Sequence, residues 1–225
     1  VCSSDLGKAM RREKPARFVF LGFPFRNPGK NTCNPDSRLP GKTAYLCTII
    51  SKRQIYLFMV LENINSPEDV KKLSREELNL LSGEIREALL HRLSDHGGHF
   101  GPNFGMVEAT IALHYVFNSP EDKIVFDVSH QSYPHKMLTG RKDAYLYEEH
   151  YDDVSGYSNP NESVHDHFTV GHTSTSVSLA CGLAKARDLK GEEGNVIAVI
   201  GDGSLSGGEA LEGLDYAVEL DGNLI

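Results

Sequence analysis

The sequence predicts an α/β fold with a doubly wound, mostly parallel sheet, and three observations carry that expectation. Val196-Ile197-Ala198-Val199-Ile200 is an unbroken apolar run, the composition of a central parallel strand covered on both faces. Helical periodicities alternate with short strand-like runs at 124–128, 196–200 and 223–225, the pattern of stacked strand–helix units. Residues 59–225 also form a stretch long enough to bury about 70% of its unfolded surface.

Residues 1–58 stand apart. They hold 11 Lys+Arg against 3 Asp+Glu, a net of +8, which leaves 12 against 28 and a net of −16 for residues 59–225. Cys2, Cys33 and Cys47 fall in the first part, and all ten histidines fall in the second. Pro15, Pro24, Pro28, Pro35 and Pro40 interrupt any helical or strand period. The opening Val1-Cys2-Ser3-Ser4-Asp5-Leu6 resembles a translated sequencing adapter. Residues 1–58 are therefore expected to be a non-native or disordered extension, with Met59 the natural start; the rival reading is a basic, acid-poor transit peptide.

Ser66-Pro67-Glu68-Asp69 reads as a capped helix start. Ser74-Arg75-Glu76-Glu77 is a capping box. It opens a helix whose apolar stripe is Leu78, Leu81, Ile85, Leu89 and Leu93 and which ends at Gly97-Gly98. A second helix is expected from Met106 to Phe117, apolar most of the way round and deeply buried. The turn Ser119–Asp122 leads into the strand 124–128. Residues 140–168 are polar and read as a long surface loop in which His165 and His167 are solvated. Ser174–Leu189 is helical, with small residues on one side for close packing. The strand 196–200 is followed by a helix over 207–220 and the start of another strand at Asn223.

The acidic balance of residues 59–225 argues against a nucleic-acid surface and gives no reason to expect membrane binding. No apolar run approaches the roughly 20 residues that span a bilayer. Cys181 is alone in this part, which fits a reducing, cytoplasmic location.

Four loops carry chemistry. In Gly201-Asp202-Gly203 a buried strand delivers one carboxylate to the sheet's carboxyl edge, where open α/β sheets bind ligands. The helix beginning near Gly207 aims its positive end back at the same place, which suits a phosphate held with Mg²⁺. The rival is a haloacid-dehalogenase-like Mg²⁺ loop, but Ser204-Leu205-Ser206 stands where that loop needs a second acid. Phe126 to Lys136 presents His130, His135 and Lys136, donors suited to a diphosphate or a sugar phosphate; the plain reading is loop histidines bonded to backbone, and zinc is a further alternative, although Pro134 interrupts the spacing and no paired cysteines exist. Gly171-His172-Thr173-Ser174-Thr175-Ser176 precedes a helix and reads as an anion cradle or an ordinary hydroxyl cap. Gly97-Gly98-His99 presents one histidine on a glycine-rich loop.

Together and in this order, the four loops resemble the 1-deoxy-D-xylulose-5-phosphate synthase family, relatives of transketolase, across essentially all of residues 59–225. The resemblance implies a thiamine-diphosphate-binding fold. It implies Mg²⁺ on Asp202, the diphosphate against Gly203 and Ser204, and the cofactor lined by His130, Gly171, His172 and Thr173, with His99 handling protons. It implies condensation of pyruvate with glyceraldehyde 3-phosphate, with loss of CO₂, by a homodimer. Ser129 and Ser132 stand where the family usually has glycine and alanine, which leaves the acceptor less defined. The family completes its metal site one strand later and its activating glutamate lies in a later domain, so these residues alone are expected to be inactive. The amino-terminal subunit of a split transketolase and an inert fragment are the other readings.

Overall fold

The computed structural model describes residues 60–220 and 222–225; the extension expected over residues 1–58 and the start at Met59 lie outside them. Two parallel strands, β1 (Lys123–Phe126) and β2 (Val196–Val199), pair in register with Lys123 opposite Val196 and Phe126 opposite Val199. A parallel bridge from Val196 to Leu224 adds the beginning of a third strand on the other side of β2. There the Val196 N–H donates to the Asn223 carbonyl, and the Ile225 N–H donates to the Val196 carbonyl.

The helices follow from caps and apolar stripes. After the short α1 (Pro67–Val70), α2 (Arg75–His96) opens at Ser74, whose hydroxyl accepts from the Glu77 N–H while the Glu77 carboxylate accepts from the Ser74 N–H. Its stripe Leu81, Ile85, Leu89 and Leu93 is buried. α3 (Gly101–Val116) starts five residues before the expected Met106, with Pro102 in its first turn. Its burial is one-sided rather than all-round: Val107, Ile111 and His114 are buried, while Tyr115 and Val116 are exposed.

Both faces of the sheet are covered. Ile124, Phe126 and Ile197 pack against Met106, Leu113 and Phe117 of the α3 region. Val125 and Val196 pack against Ala180 and Ala184 of α6 (Ser176–Lys190). The pleat sends alternate residues of each strand to opposite helices, which is why the run at 196 is apolar throughout. α8 (Gly208–Val218) lies on α6, and close approach is possible because a Cβ at Gly213 would meet Ser178 Oγ at 3.0 Å.

Residues 140–168 are not a solvated loop. Between β1 and α6 the chain forms α4 (Tyr133–Lys136), a wide turn at Met137–Arg141, α5 (Asp143–Leu146) and a short helical turn at Glu148–His150. Ala144, Tyr145, Tyr151, Val154 and Asp166 are buried. Arg92 of α2 donates to the carbonyls of Ala144 (2.9 Å) and Tyr151 (2.8 Å), and its guanidinium lies over the Tyr145 ring. Lys142 Nζ donates to the carbonyls of Glu62 and Ile64 and to Asn65 Oδ1. His165 and His167, expected in solvent, are half-buried, and His165 Nδ1 lies 2.8 Å from Ser119 Oγ. Among the described residues no helix is long and apolar enough to cross a membrane.

Candidate functional site

Because β1 and β2 run parallel, the loops that leave their carboxyl ends share one rim of the sheet. β1 runs into Asp127, which is 1% exposed and whose N–H donates to the Val199 carbonyl of β2. The Asp127 carboxylate accepts from the N–H groups of Ser174 and Ser176, both at 2.9 Å, and so holds the start of α6. Ser174 Oγ then donates to the Ser204 carbonyl (2.7 Å) in α7 (Asp202–Leu205), which follows β2. Gly207 sits against the same hydroxyl: a Cβ there would come 2.0 Å from Ser174 Oγ. One serine therefore ties the rim loops of β1, α6 and β2 together.

The predicted residues fall along this rim. Gly171, His172, Thr173, Asp202 and Gly203 are exposed, and Ser204 is half-buried. A Cβ at Gly171, Gly201 or Gly203 would meet nothing within 4 Å, so the backbone there is open to an approaching group. The partner of the Asp202 carboxylate is its own neighbour, the Gly203 N–H at 2.9 Å. His172 Nδ1 donates to the Thr173 carbonyl (3.1 Å).

Histidines 99 and 130 meet: their rings lie edge to face with centroids 5.2 Å apart. Both loops hang on Asn103, which is fully buried and was missed in the sequence because α3 was expected to begin after it. Asn103 Nδ2 donates to the carbonyls of His99 (2.6 Å) and His130 (2.8 Å), and Asn103 Oδ1 accepts from the Tyr133 N–H (3.0 Å). Burial holds the His130 imidazole below its ordinary value, and the nearby His99 ring adds to this because the two rings would repel if both were protonated. His130 Nδ1 is buried with no hydrogen-bond partner among the described residues.

His135 and Lys136, read as part of a phosphate cradle, go inward instead. His135 is 2% and Lys136 0% exposed. Lys136 pairs with Glu162, and Glu162 also pairs with Arg141. His135 Nε2 donates to Asp166 Oδ1 (3.0 Å), and Arg141 closes on both Asp166 oxygens at 2.8 and 3.0 Å. Burial raises the Asp166 carboxyl, but hydrogen bonds from His135 and Arg141 outweigh it and hold the group well below the usual carboxylate range. Burial pushes His135 and His114 down. A neutral His135 that donates from Nε2 must accept at Nδ1, so His114 Nε2, 2.9 Å away, is the donor between the rings. These groups pin the segment 155–168 to the molecule.

Ser129 and Ser132 are buried, and their hydroxyls are used inside the chain. Ser129 Oγ donates to the Val170 carbonyl and accepts from the Ser158 N–H, and Ser132 Oγ donates to the Ser129 carbonyl.

Donor chemistry along the rim fits a diphosphate and a hard cation. It has exposed backbone at glycines over open space, the start of α8 at Gly207, and the exposed Asp202 carboxylate. Among the described residues no three His, Cys, Asp or Glu side chains converge as a metal-holding group. A cation at Asp202 would therefore take most of its oxygens from the ligand, from backbone or from water.

Residues 61–225 match the family model described as 1-deoxy-D-xylulose-5-phosphate synthase. The chain is 54% identical over 167 residues to the 1-deoxy-D-xylulose-5-phosphate synthase of Dictyoglomus thermophilum, covering 74% of this chain and 27% of that relative. It is 56% identical over 156 residues to that of Caldanaerobacter subterraneus subsp. tengcongensis, covering 69% and 25%. Against that of Thermomicrobium roseum it is 54% identical over 168 residues, covering 74% and 27%. The chain spans about a quarter of the length of these curated relatives.

Proposed function

The chain belongs to the 1-deoxy-D-xylulose-5-phosphate synthase family, and on that premise we propose that it builds the diphosphate-binding part of a thiamine-diphosphate enzyme. The fold is then a doubly wound α/β domain, and the helices on both faces of the parallel strands support that reading. The start of the family match at Leu61 supports treating residues 59–225 as the amino-terminal domain.

The observation that carries the site is Ser174, bonded at once to Asp127 after β1 and to Ser204 beside Asp202 after β2. In this reading Asp202 holds Mg²⁺. Gly203, Ser204, Gly171, His172 and Thr173 surround the diphosphate. His130 lines the cofactor and His99 holds a proton near the reacting centre. Bound thiamine diphosphate would supply the electron sink that pyruvate decarboxylation needs. The protein's part is orientation: Asn103 fixes both histidine loops, and the Asp127–Ser174 pair sets the rim.

The reaction is condensation of pyruvate with glyceraldehyde 3-phosphate to 1-deoxy-D-xylulose 5-phosphate and CO₂, by a homodimer. The closed bonding of Ser129 and Ser132 supports an unaltered acceptor, because neither hydroxyl is free to meet a substrate. The test is product analysis with the whole protein that carries these residues. CO₂ and the pentulose phosphate in equal amounts is the expected result. Two-carbon transfer from a ketose phosphate without CO₂ release would replace this reading with a transketolase.

A further inference from the structure

Tyr133 is buried, 2% exposed, yet its phenol head reaches the loop that carries His99. The His99 backbone N–H donates to Tyr133 Oη (3.4 Å), and His99 Nδ1 lies 3.1 Å from the same oxygen. Two glycines from separate loops leave room for that oxygen. A Cβ at Gly98 would come 2.7 Å from Leu93 Cδ2 and 3.1 Å from Tyr133 Oη, and one at Gly156 would come 3.3 Å from the same oxygen. Gly98 also has φ +131°, so a side chain there is strained for a second reason. On the other side Asn103 Oδ1 accepts from the Tyr133 N–H, which fixes where the ring begins.

The phenol oxygen already accepts the His99 backbone N–H. If His99 Nδ1 also carried a proton, the buried O–H would have no acceptor among the described residues, and an unmade buried hydrogen bond is costly. The O–H therefore donates to Nδ1, and the neutral ring must carry its proton on Nε2.

We propose that Tyr133 is a positioning residue that fixes His99 in the Nε2–H tautomer, with Gly98 and Gly156 shaped to admit its hydroxyl. This rests on the role given to His99 above and deepens it: His99 then offers a proton from Nε2, on the ring edge away from Tyr133, and takes one back at the same atom. Tyr133 touches no reacting atom.

The test is long-range ¹H–¹⁵N correlation spectroscopy of histidine-labelled chain, with His99 assigned from His99→Gln. The wild type is expected to show His99 protonated at Nε2 alone, with Nδ1 accepting. In Tyr133→Phe the Nδ1 resonance moves and a population protonated at Nδ1 appears; kcat of the whole protein falls about tenfold or more with KM little changed. Gly156→Ala crowds the hydroxyl without removing it, so a smaller shift in the same direction is expected should Tyr133→Phe fail to fold. A wild-type His99 protonated at Nδ1, or His99 resonances unchanged in both variants, overturns the proposal. The spectrum needs no cofactor. A fixed tautomer without thiamine-diphosphate binding would thus sink the functional reading and leave this one standing.

Discussion

Two regions of this molecule are rich in polar and charged side chains, and they use them in opposite ways. Behind β1, the groups His114, His135, Lys136, Arg141, Glu162 and Asp166 close on one another as two cations, two carboxylates and two neutral imidazoles, buried except for the partly exposed Arg141 and Glu162. Along the rim, Gly171 to Thr173 and Gly201 to Gly203 leave amides and one carboxylate exposed. The contrast teaches that residue type does not separate structure from function; what separates them is whether the hydrogen-bonding capacity is spent inside the chain. A single sequence run divides this way: His130 stays at the rim, while His135 and Lys136, five and six residues on, turn into the core.

The comparison is broken most severely at Asp166. Asp166→Ala removes one of the two carboxylates that face Arg141, leaving it Glu162 alone, and takes the acceptor from buried His135. Removing one partner of a buried pair costs about 3–5 kcal/mol, so chemical denaturation should show most of the domain's stability gone. An unchanged midpoint would mean that the buried set is not what holds 155–168 in place.

Acid sharpens the same contrast. Burial pushes His167 from its ordinary 6.5 to about 4, and burial lowers His114, His135 and His165 too. A depressed native value means that the unfolded chain binds more protons between the two values. Stability is then fully present above about pH 6.5 and lost as pH falls toward 4. Depressed Asp166 adds loss below its unfolded value. Urea titrations across that window should show a falling midpoint, and a flat profile would contradict the burial assigned to these histidines.

Gly207→Ala tests the seam between the regions. A Cβ there would lie 2.0 Å from Ser174 Oγ, so Ser174 must give up its bond to Ser204 or α8 must shift. Overpacking of this kind costs about 1–3 kcal/mol, read as a lower melting temperature together with weaker cofactor binding. The smallest effect on stability belongs to the rim itself: Asp202→Ala should leave the denaturation midpoint within about 0.5 kcal/mol of wild type, because the side chain is exposed.

Much of the fold was legible in the residues. Ser74 and Glu77 announced α2, the spacing of Leu81 to Leu93 marked its buried side, and the run at Val196 marked a strand covered on both faces, because those signals are local and set by helical and pleat periods. Residues 140–168 were misread. Their partners are remote: Asp166 is matched by His135 and Arg141, Glu162 by Lys136, and Lys142 by the carbonyls of Glu62 and Ile64. A carboxylate looks solvated in sequence until its cation arrives from another element. Asn103 was missed for a simpler reason, since Pro102 signalled an earlier start to α3 than its apolar residues did. Of the candidate site, the loops of Asp202, His99 and His130 were singled out in the sequence, but nothing there placed Ser174 as the tie between Asp127 and Ser204.

We propose that the rim holds thiamine diphosphate through a divalent ion on Asp202, and calorimetry of the chain titrated with thiamine diphosphate measures that binding. The expected result is micromolar binding that requires Mg²⁺ and weakens by about tenfold or more in Asp202→Ala. Absence of binding, or equal affinity with Mg²⁺ chelated and in the variant, would contradict it.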